Sequence, residues 1–307
     1  MEKIILNSRM DQRELHGTLL LPEGEPSAVL QIVHGMAEHK ERYFPFMEYL
    51  ASRGIASLIF DTRGHGESIL APEELGYMEG GYPALRADLL TIYDCIRERF
   101  PTLPYVLMGH SMGSLEVRRF AEEYDHLIGR LIVCGSPSAN PLAGIGVILA
   151  DLIGLIKGKK HPSPFLDKMA FSAYGPNFTW LSTVEESNEA YRQDPLCGYL
   201  FTAGGFGTLF RMVRDVYRPG LWNVKNKAMP VLFVAGEADP CIVNPKKFKD
   251  AVRFMKDMGY RDVRSILYPG MRHEILNEAD RQTVYRDLAD FILEAVPAPA
   301  EEAPVSE

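Results

Sequence analysis

Eight short apolar runs recur along the chain with helical patterns between most of them, and this alternation restricts the possible folds more than any other feature. The runs occupy 3–6, 15–21, 29–33, 56–60, 105–108, 131–134, 231–235 and 263–268. Several are apolar almost throughout, as a strand covered on both faces must be. Helical periodicity follows at 44–52, 85–99, 112–124, 245–258 and 281–295. Strands alternating with helices predict an α/β architecture, a mostly parallel sheet flanked by helices. The first two runs are joined by a short connection that begins Asn7-Ser8-Arg9-Met10-Asp11-Gln12 and read as an antiparallel edge.

The alternation stops after Ser136-Pro137 and resumes at Met229-Pro230, a gap of roughly 90 residues that exceeds ordinary connection lengths. An inserted, largely helical cap is therefore expected at 138–222, dividing the core into 1–137 and 223–295. Its first part places Ile145, Ile148, Leu149, Leu152, Ile153 and Ile156 on one helical face, expected either to wall the site or to pack as core. Its end is rich in glycine and aromatic residues, as in Gly204-Gly205-Phe206-Gly207. The stretch 296–307 is mostly Pro, Ala and Glu and is expected to be a disordered tail.

Composition bounds the partners. Lys and Arg total 33 against 41 Asp and Glu, a formal charge of −8, which gives no electrostatic footing for nucleic acid. The N-terminal residues lack the apolar region of a secretory signal, and the apolar stretch 142–156 is too short to span a bilayer. Four cysteines without a CxxC pair suggest neither a zinc knuckle nor a disulfide framework, and a cytoplasmic location is expected. Lys157, Lys159 and Lys160, beside the apolar stripe, suggest a transient contact with a membrane surface or simply a solvated loop.

The strongest chemical signal is Gly109-His110-Ser111-Met112-Gly113, set between an apolar strand and a helical run. A G-x-S-x-G turn in that position exposes the serine at a helix N-terminus, where the Met112 amide faces developing negative charge. Ser111 is thus the candidate nucleophile. His273, which follows the last strand and a turn, is the candidate base. Asp239, at the end of the run 231–235, is the candidate orienting acid, with Glu237 a weaker rival. The loop after 29–33, His34-Gly35-Met36-Ala37-Glu38-His39, offers the Met36 amide as a second oxyanion donor. His34, Gly35, His110, Ile145 and Leu149 are candidate substrate contacts. Cys241, two residues beyond Asp239, is expected close enough for its alkylation to block the site. No metal or cofactor is required, since His34 and His39 lack a carboxylate shell and Gly64-His65-Gly66 lacks a third glycine at Ile69. Arg63 in that loop is expected to pair with a carboxylate.

These pieces, together with Arg42-Tyr43, the loop 61–68 and Gly236-Glu237-Ala238-Asp239, resemble the monoacylglycerol lipase and lysophospholipase branch of the α/β-hydrolases, also labelled serine aminopeptidase-like. The resemblance covers nearly the whole chain except the tail. It implies the α/β-hydrolase fold, Ser111, Asp239 and His273 as a triad, and the amides of Met36 and Met112 as oxyanion hole. It departs from the family at Ser114, where a second glycine is usual after the elbow. The expected substrate is a carboxylic ester with an apolar acyl chain. The alternatives are an aminopeptidase-like amidase, for which Glu185, Glu186 and Glu189 are the one carboxylate cluster in the cap, and a catalytically silent binding protein. The oligomeric state is left open.

Overall fold

A computed structural model describes residues 1–294. The expected tail at 296–307 lies outside the described residues. The strands are β1 (Glu2–Asn7), β2 (Glu14–Leu20), β3 (Ala28–Val33), β4 (Ile55–Phe60), β5 (Tyr105–His110), β6 (Arg130–Cys134), β7 (Val231–Gly236) and β8 (Val263–Tyr268). They form one sheet in the order β1-β2-β4-β3-β5-β6-β7-β8. Pairs β1/β2 and β2/β4 are antiparallel, as the short first connection requires, and every later pair is parallel. All residues of β3 to β7 are buried, which is why these runs are apolar rather than alternating.

Helices cover both faces. On one, α2 (Gly81–Arg99), α3 (Met112–Tyr124) and α8 (Pro245–Asp257) bury Leu89, Ile92, Val117, Phe120, Phe248 and Val252 against the sheet. On the other, α1 (Phe44–Ser52) and α9 (Arg281–Leu293) bury Phe46, Leu50, Val284 and Leu288. Helix α2 begins four residues before its apolar periodicity, because its first turn leaves the left-handed Gly80 before reaching the core.

Between β6 and β7 the chain adds α4 (Ala143–Lys157), α5 (Pro164–Phe171), α6 (Glu185–Gln193) and α7 (Ala203–Asp215) and no strand of the sheet. Helix α7 forms in the glycine-rich stretch that propensity alone disfavours. Its glycines let it pack closely: a β-carbon on Gly205 would sit 2.0 Å from the Gly76 carbonyl oxygen. Helix α4 corrects the sequence reading. Its buried residues are Ala143, Gly146, Val147 and Ala150, and Gly146 lets the Phe210 ring of α7 approach. Ile145, Ile148, Leu152 and Ile156 are exposed, so the large residues of the stripe neither wall a site nor form core. Leu149 and Ile153 are half-buried against the cluster under the insertion.

Candidate active site

The parallel registers bring the carboxyl ends of β3, β5, β6, β7 and β8 to one edge, with Val33 opposite Gly109, Gly109 opposite Val133, and Gly236 opposite Tyr268. Loops leaving this edge carry Met36, Ser111, Asp239 and His273, the position expected of an active site in an open α/β sheet. Ser111 caps α3 with φ 54° and ψ −117°, a backbone that non-glycine residues rarely adopt. The strain is held by contacts on both sides. A β-carbon on Gly109 would lie 2.2 Å from the Gly113 carbonyl oxygen, and one on Gly113 2.3 Å from that of Val33. Both glycines are therefore demanded by close backbone approach. The Ser111 amide donates to the Cys134 carbonyl at 2.9 Å, and Ser114, the departure from the usual glycine, turns its hydroxyl onto the Ser111 carbonyl.

His273 lies beside this turn. A β-carbon on Gly135, at the end of β6, would touch both the His273 and His110 rings, whose centroids are 4.7 Å apart. Asp239 Oδ2 accepts from His273 Nδ1 at 2.9 Å, and its Oδ1 accepts from the Cys241 amide at 2.8 Å. A carboxylate can only accept, so Nδ1 carries a proton, and in the neutral ring Nε2 presents a lone pair. The Cys241 Sγ is 3.9 Å from that Nε2, and burial pushes its thiol well above the ordinary value. Asp262 lies at the far end of the sheet, ahead of β8.

The loop after β3 is built from buried polar groups. His34, a candidate substrate contact, is fully buried: its Nε2 accepts from the Thr62 amide at 2.9 Å and its Nδ1 faces the Gly35 carbonyl at 2.8 Å. Burial lowers its pKa, in keeping with a neutral ring. Gly35 approaches the elbow so closely that a β-carbon there would lie 3.1 Å from Ser111 Cβ. The Gly35 amide donates to Glu38 Oε1 at 2.6 Å, and Glu38 also accepts from the Tyr43 hydroxyl and Arg42. Arg42 continues to Glu274, the neighbour of His273, through two contacts of 2.6 Å. His110, another candidate contact, is also buried, its Nδ1 3.3 Å from Glu38 and its Nε2 3.2 Å from the His273 carbonyl. Burial opposes charge on both Glu38 and His110. Their mutual contact, with Arg42, nonetheless holds the Glu38 carboxyl well below its usual range and raises the His110 pKa.

The sequence reading missed this Glu38–Arg42–Glu274 chain, because no periodicity marks residues that meet across separations of 4 and 232 positions. It also missed Trp180, whose carbonyl receives the His273 amide and whose ring lies 5.0 Å from the His273 ring. Through Trp180 the insertion packs against His273. His39 turned out to pair with Asp194 of the insertion, at 2.8 Å. With Cys197 these form one of two groups among the described residues whose ligand atoms lie mutually within 4.8 Å; the other is Asp239, Cys241 and His273. His39 and Asp194 of the first group, and all three residues of the second, take part in the contacts above. Arg63 pairs with Asp88 and Asp11, as its loop suggested. Ile145 is 54% exposed, whereas Met36, Met112 and Leu149 share one apolar cluster with Phe171 and Phe206.

The sheet order, the strained serine turn and the acid–histidine pair at the carboxyl edge define an α/β-hydrolase. The chain belongs to the serine aminopeptidase S33 family, whose profile matches residues 24–280. It is 25% identical to a monoacylglycerol lipase of Mycolicibacterium smegmatis, over 89% of this chain and 90% of that protein. It is also 25% identical to the monoglyceride lipase of Rattus norvegicus, over 85% of this chain and 80% of that one. A thermostable carboxyl esterase from Bacillus coagulans, crystallised with glycerol, superposes with a TM-score of 0.85 at 22% identity, covering 95% and 97% of the two chains. The resemblance to the monoacylglycerol lipase branch thus extends through most of the chain.

Proposed function

We propose that this hydrolase is a serine enzyme that cleaves carboxylic esters with apolar acyl chains, such as monoacylglycerols or lysophospholipids, through an acyl-enzyme. The observation that carries this reading is the Asp239–His273 contact: with Asp239 on Nδ1, Nε2 of the neutral ring is left to accept the Ser111 proton. Ser111 attacks the ester carbonyl, and His273 passes the proton to the leaving alcohol. The chemistry repeats with water to release the acid. The Met112 amide, in the first turn of α3 and without a partner inside the helix, and the Met36 amide receive the oxyanion.

The apolar cluster joining Met36 and Met112 to Leu149, Phe171 and Phe206 favours an acyl chain over a charged peptide. The amidase alternative needs a carboxylate at the site for an α-amino group. Glu185, Glu186 and Glu189 are exposed on α6, with Glu185 and Glu189 already bound by Arg192, and Glu38 and Glu274 are saturated by Arg42. The silent-binder alternative has no missing triad member to rest on.

Contact with a lipid surface is part of the same reading. Leu142, Ile145, Ile148, Leu152, Leu155 and Ile156 are all at least half exposed, with Lys157 and Lys159 exposed at the end of α4. Each large side chain recovers about 1.5–3 kcal/mol when fully removed from water, and cations beside them favour anionic headgroups. Lys160 is partly committed to Glu74 at 3.0 Å. None of the described helices is long and apolar enough to cross a membrane.

The test is a side-by-side screen of p-nitrophenyl esters of graded length, monoacylglycerol, lysophosphatidylcholine and aminoacyl-naphthylamides, with the Ser111→Ala protein as blank. Ser111-dependent turnover should be greatest on esters. Faster Ser111-dependent release from the naphthylamides would overturn the choice of substrate, and fluorophosphonate labelling of Ser111→Ala would overturn the nucleophile.

A further inference from the structure

Ala37 follows the oxyanion residue Met36 and has φ 52°, a left-handed backbone that a β-carbon disfavours. Something must hold it there. On its core side the loop is fastened through Glu38, which takes the Gly35 amide, Tyr43 and Arg42. On the other side the Ala37 carbonyl accepts two hydrogen bonds, both from the cap: the Tyr191 hydroxyl at 2.8 Å and the Gly198 amide at 2.9 Å.

These two donors are built into one unit. Tyr191 lies on α6 and is buried, its ring under the Arg42 guanidinium at 4.8 Å and 5.0 Å from the Phe178 ring. Gly198 is left-handed at φ 64° and presses on that ring, since a β-carbon there would come within 3.2 Å of Tyr191 Cε1 and 3.1 Å of Phe178. A larger residue at 198 would push the ring, and with it the hydroxyl, away from Ala37. The core-side fastening stays within the sheet domain, but the Ala37 fastening exists only while the cap is seated.

We infer that Tyr191 is a positioning residue for the oxyanion hole: through the Ala37 carbonyl, the seated cap holds the left-handed turn that aims the Met36 amide at the reacting carbonyl. This rests on the reading of Met36 as oxyanion donor. It makes the cap part of the catalytic geometry as well as a roof, so that a cap which lifts also loosens one of the two donors. Arg42, which touches the Tyr191 ring, Glu38 and Glu274 together, makes the two fastenings adjacent.

Tyr191→Phe tests it, because the ring, its packing and its contact with Arg42 remain and only the hydroxyl is lost. Losing one oxyanion donor outright costs about 100- to 1,000-fold in kcat, and a donor merely loosened should cost about tenfold. The assay uses p-nitrophenyl butyrate, with wild type and Ser111→Ala run alongside. The expected result is a kcat about tenfold lower, KM within about twofold, and affinity for a trifluoromethyl ketone reduced by the same factor as kcat/KM. The second variant is Ala37→Gly, whose backbone takes the left-handed conformation without a clamp. In that background, adding Tyr191→Phe should cost less than about threefold. A tether that merely attaches the cap would lower the melting temperature but leave kcat and ketone affinity unchanged, and that result would overturn the inference. So would an equal loss from Tyr191→Phe in both backgrounds. Turnover that persists in Ser111→Ala would instead count against the proposed function.

Discussion

Helices α3 and α4 invert each other. Ten of the thirteen residues of α3 are buried, among them Ser114, Glu116, Arg118 and Glu122, whereas α4 buries only Ala143, Gly146, Val147 and Ala150 and turns Ile145, Ile148, Leu152, Leu155 and Ile156 to solvent. By polarity alone the two would be placed the other way round. Helix α3 is buried because it starts at the serine turn and is clasped between the sheet, α2 and α7, so even its charges are enclosed. Arg118 lies over the Tyr217 ring at 4.5 Å and Glu122 reaches Arg119 at 2.5 Å. Helix α4 meets α7, whose contact face is bulky, and only small residues fit against Phe210. The pair shows that burial follows from what an element must touch, and that an apolar face left outward calls for a second explanation.

The largest effect should come from the crowded end of α3. Gly113→Ala drives a β-carbon into the Val33 backbone, which cannot yield cheaply. Ester turnover should fall by at least about 100-fold, with a loss of stability on the order of 3 kcal/mol or more, read by turnover and denaturant melts. A protein with near-normal activity would mean that the elbow is less tightly held than its contacts indicate.

The two faces of α4 should then separate cleanly. Val147→Asp buries an unpaired carboxylate and should cost about 2–4 kcal/mol, while Leu155→Asp, at a position 83% exposed, should stay within about 0.5 kcal/mol of wild type. Equal costs in urea melts would show that the outward face is packed after all.

A smaller and more selective effect is expected of that outward face in function. Ile148→Glu with Leu155→Glu should leave p-nitrophenyl butyrate turnover unchanged and lower turnover of vesicle-borne monoacylglycerol about tenfold. Lys157→Glu with Lys159→Glu should weaken binding to anionic vesicles but not neutral ones. Anionic-vesicle binding that survives this charge reversal would remove the electrostatic part of the reading.

The smallest effect concerns charge inside α3. Burial pushes the Glu116 carboxyl up to about 8, beside Asp88 and Arg63, and its Oε2 has no hydrogen-bond partner. Its folded pKa lies above its unfolded one, so the stability it allows is complete below the ordinary carboxylate pKa and is lost as pH rises through about 8. Glu116→Gln should flatten the fall in melting temperature across that window. The raised His110 pKa acts in the same direction and should leave a residual slope.

The sheet, its antiparallel edge and the edge carrying Ser111, Asp239 and His273 were legible because each rests on a local pattern. Buried strands are apolar throughout, and a serine between glycines after such a strand has few structural roles. The three candidate triad residues were assigned from the serine motif, chain order, strand ends and the family resemblance, and their loops leave the same edge of the sheet. The orientation of α4 was not legible, since a helical stripe announces an apolar face without saying whether anything lies opposite it. Nor were the burial of His34 and His110, the Glu38–Arg42–Glu274 chain, or Tyr191 and Gly198 on Ala37, 154 and 161 positions away in sequence. Those pairings cost the unfolded chain large loop closures and form only when the sheet and the cap insertion have already brought the loops together. Local chemistry thus chose the strands, the serine turn and the titratable groups available. The tertiary structure decided which of those groups meet, because buried hydrogen bonds must be satisfied by whatever the completed packing places within reach.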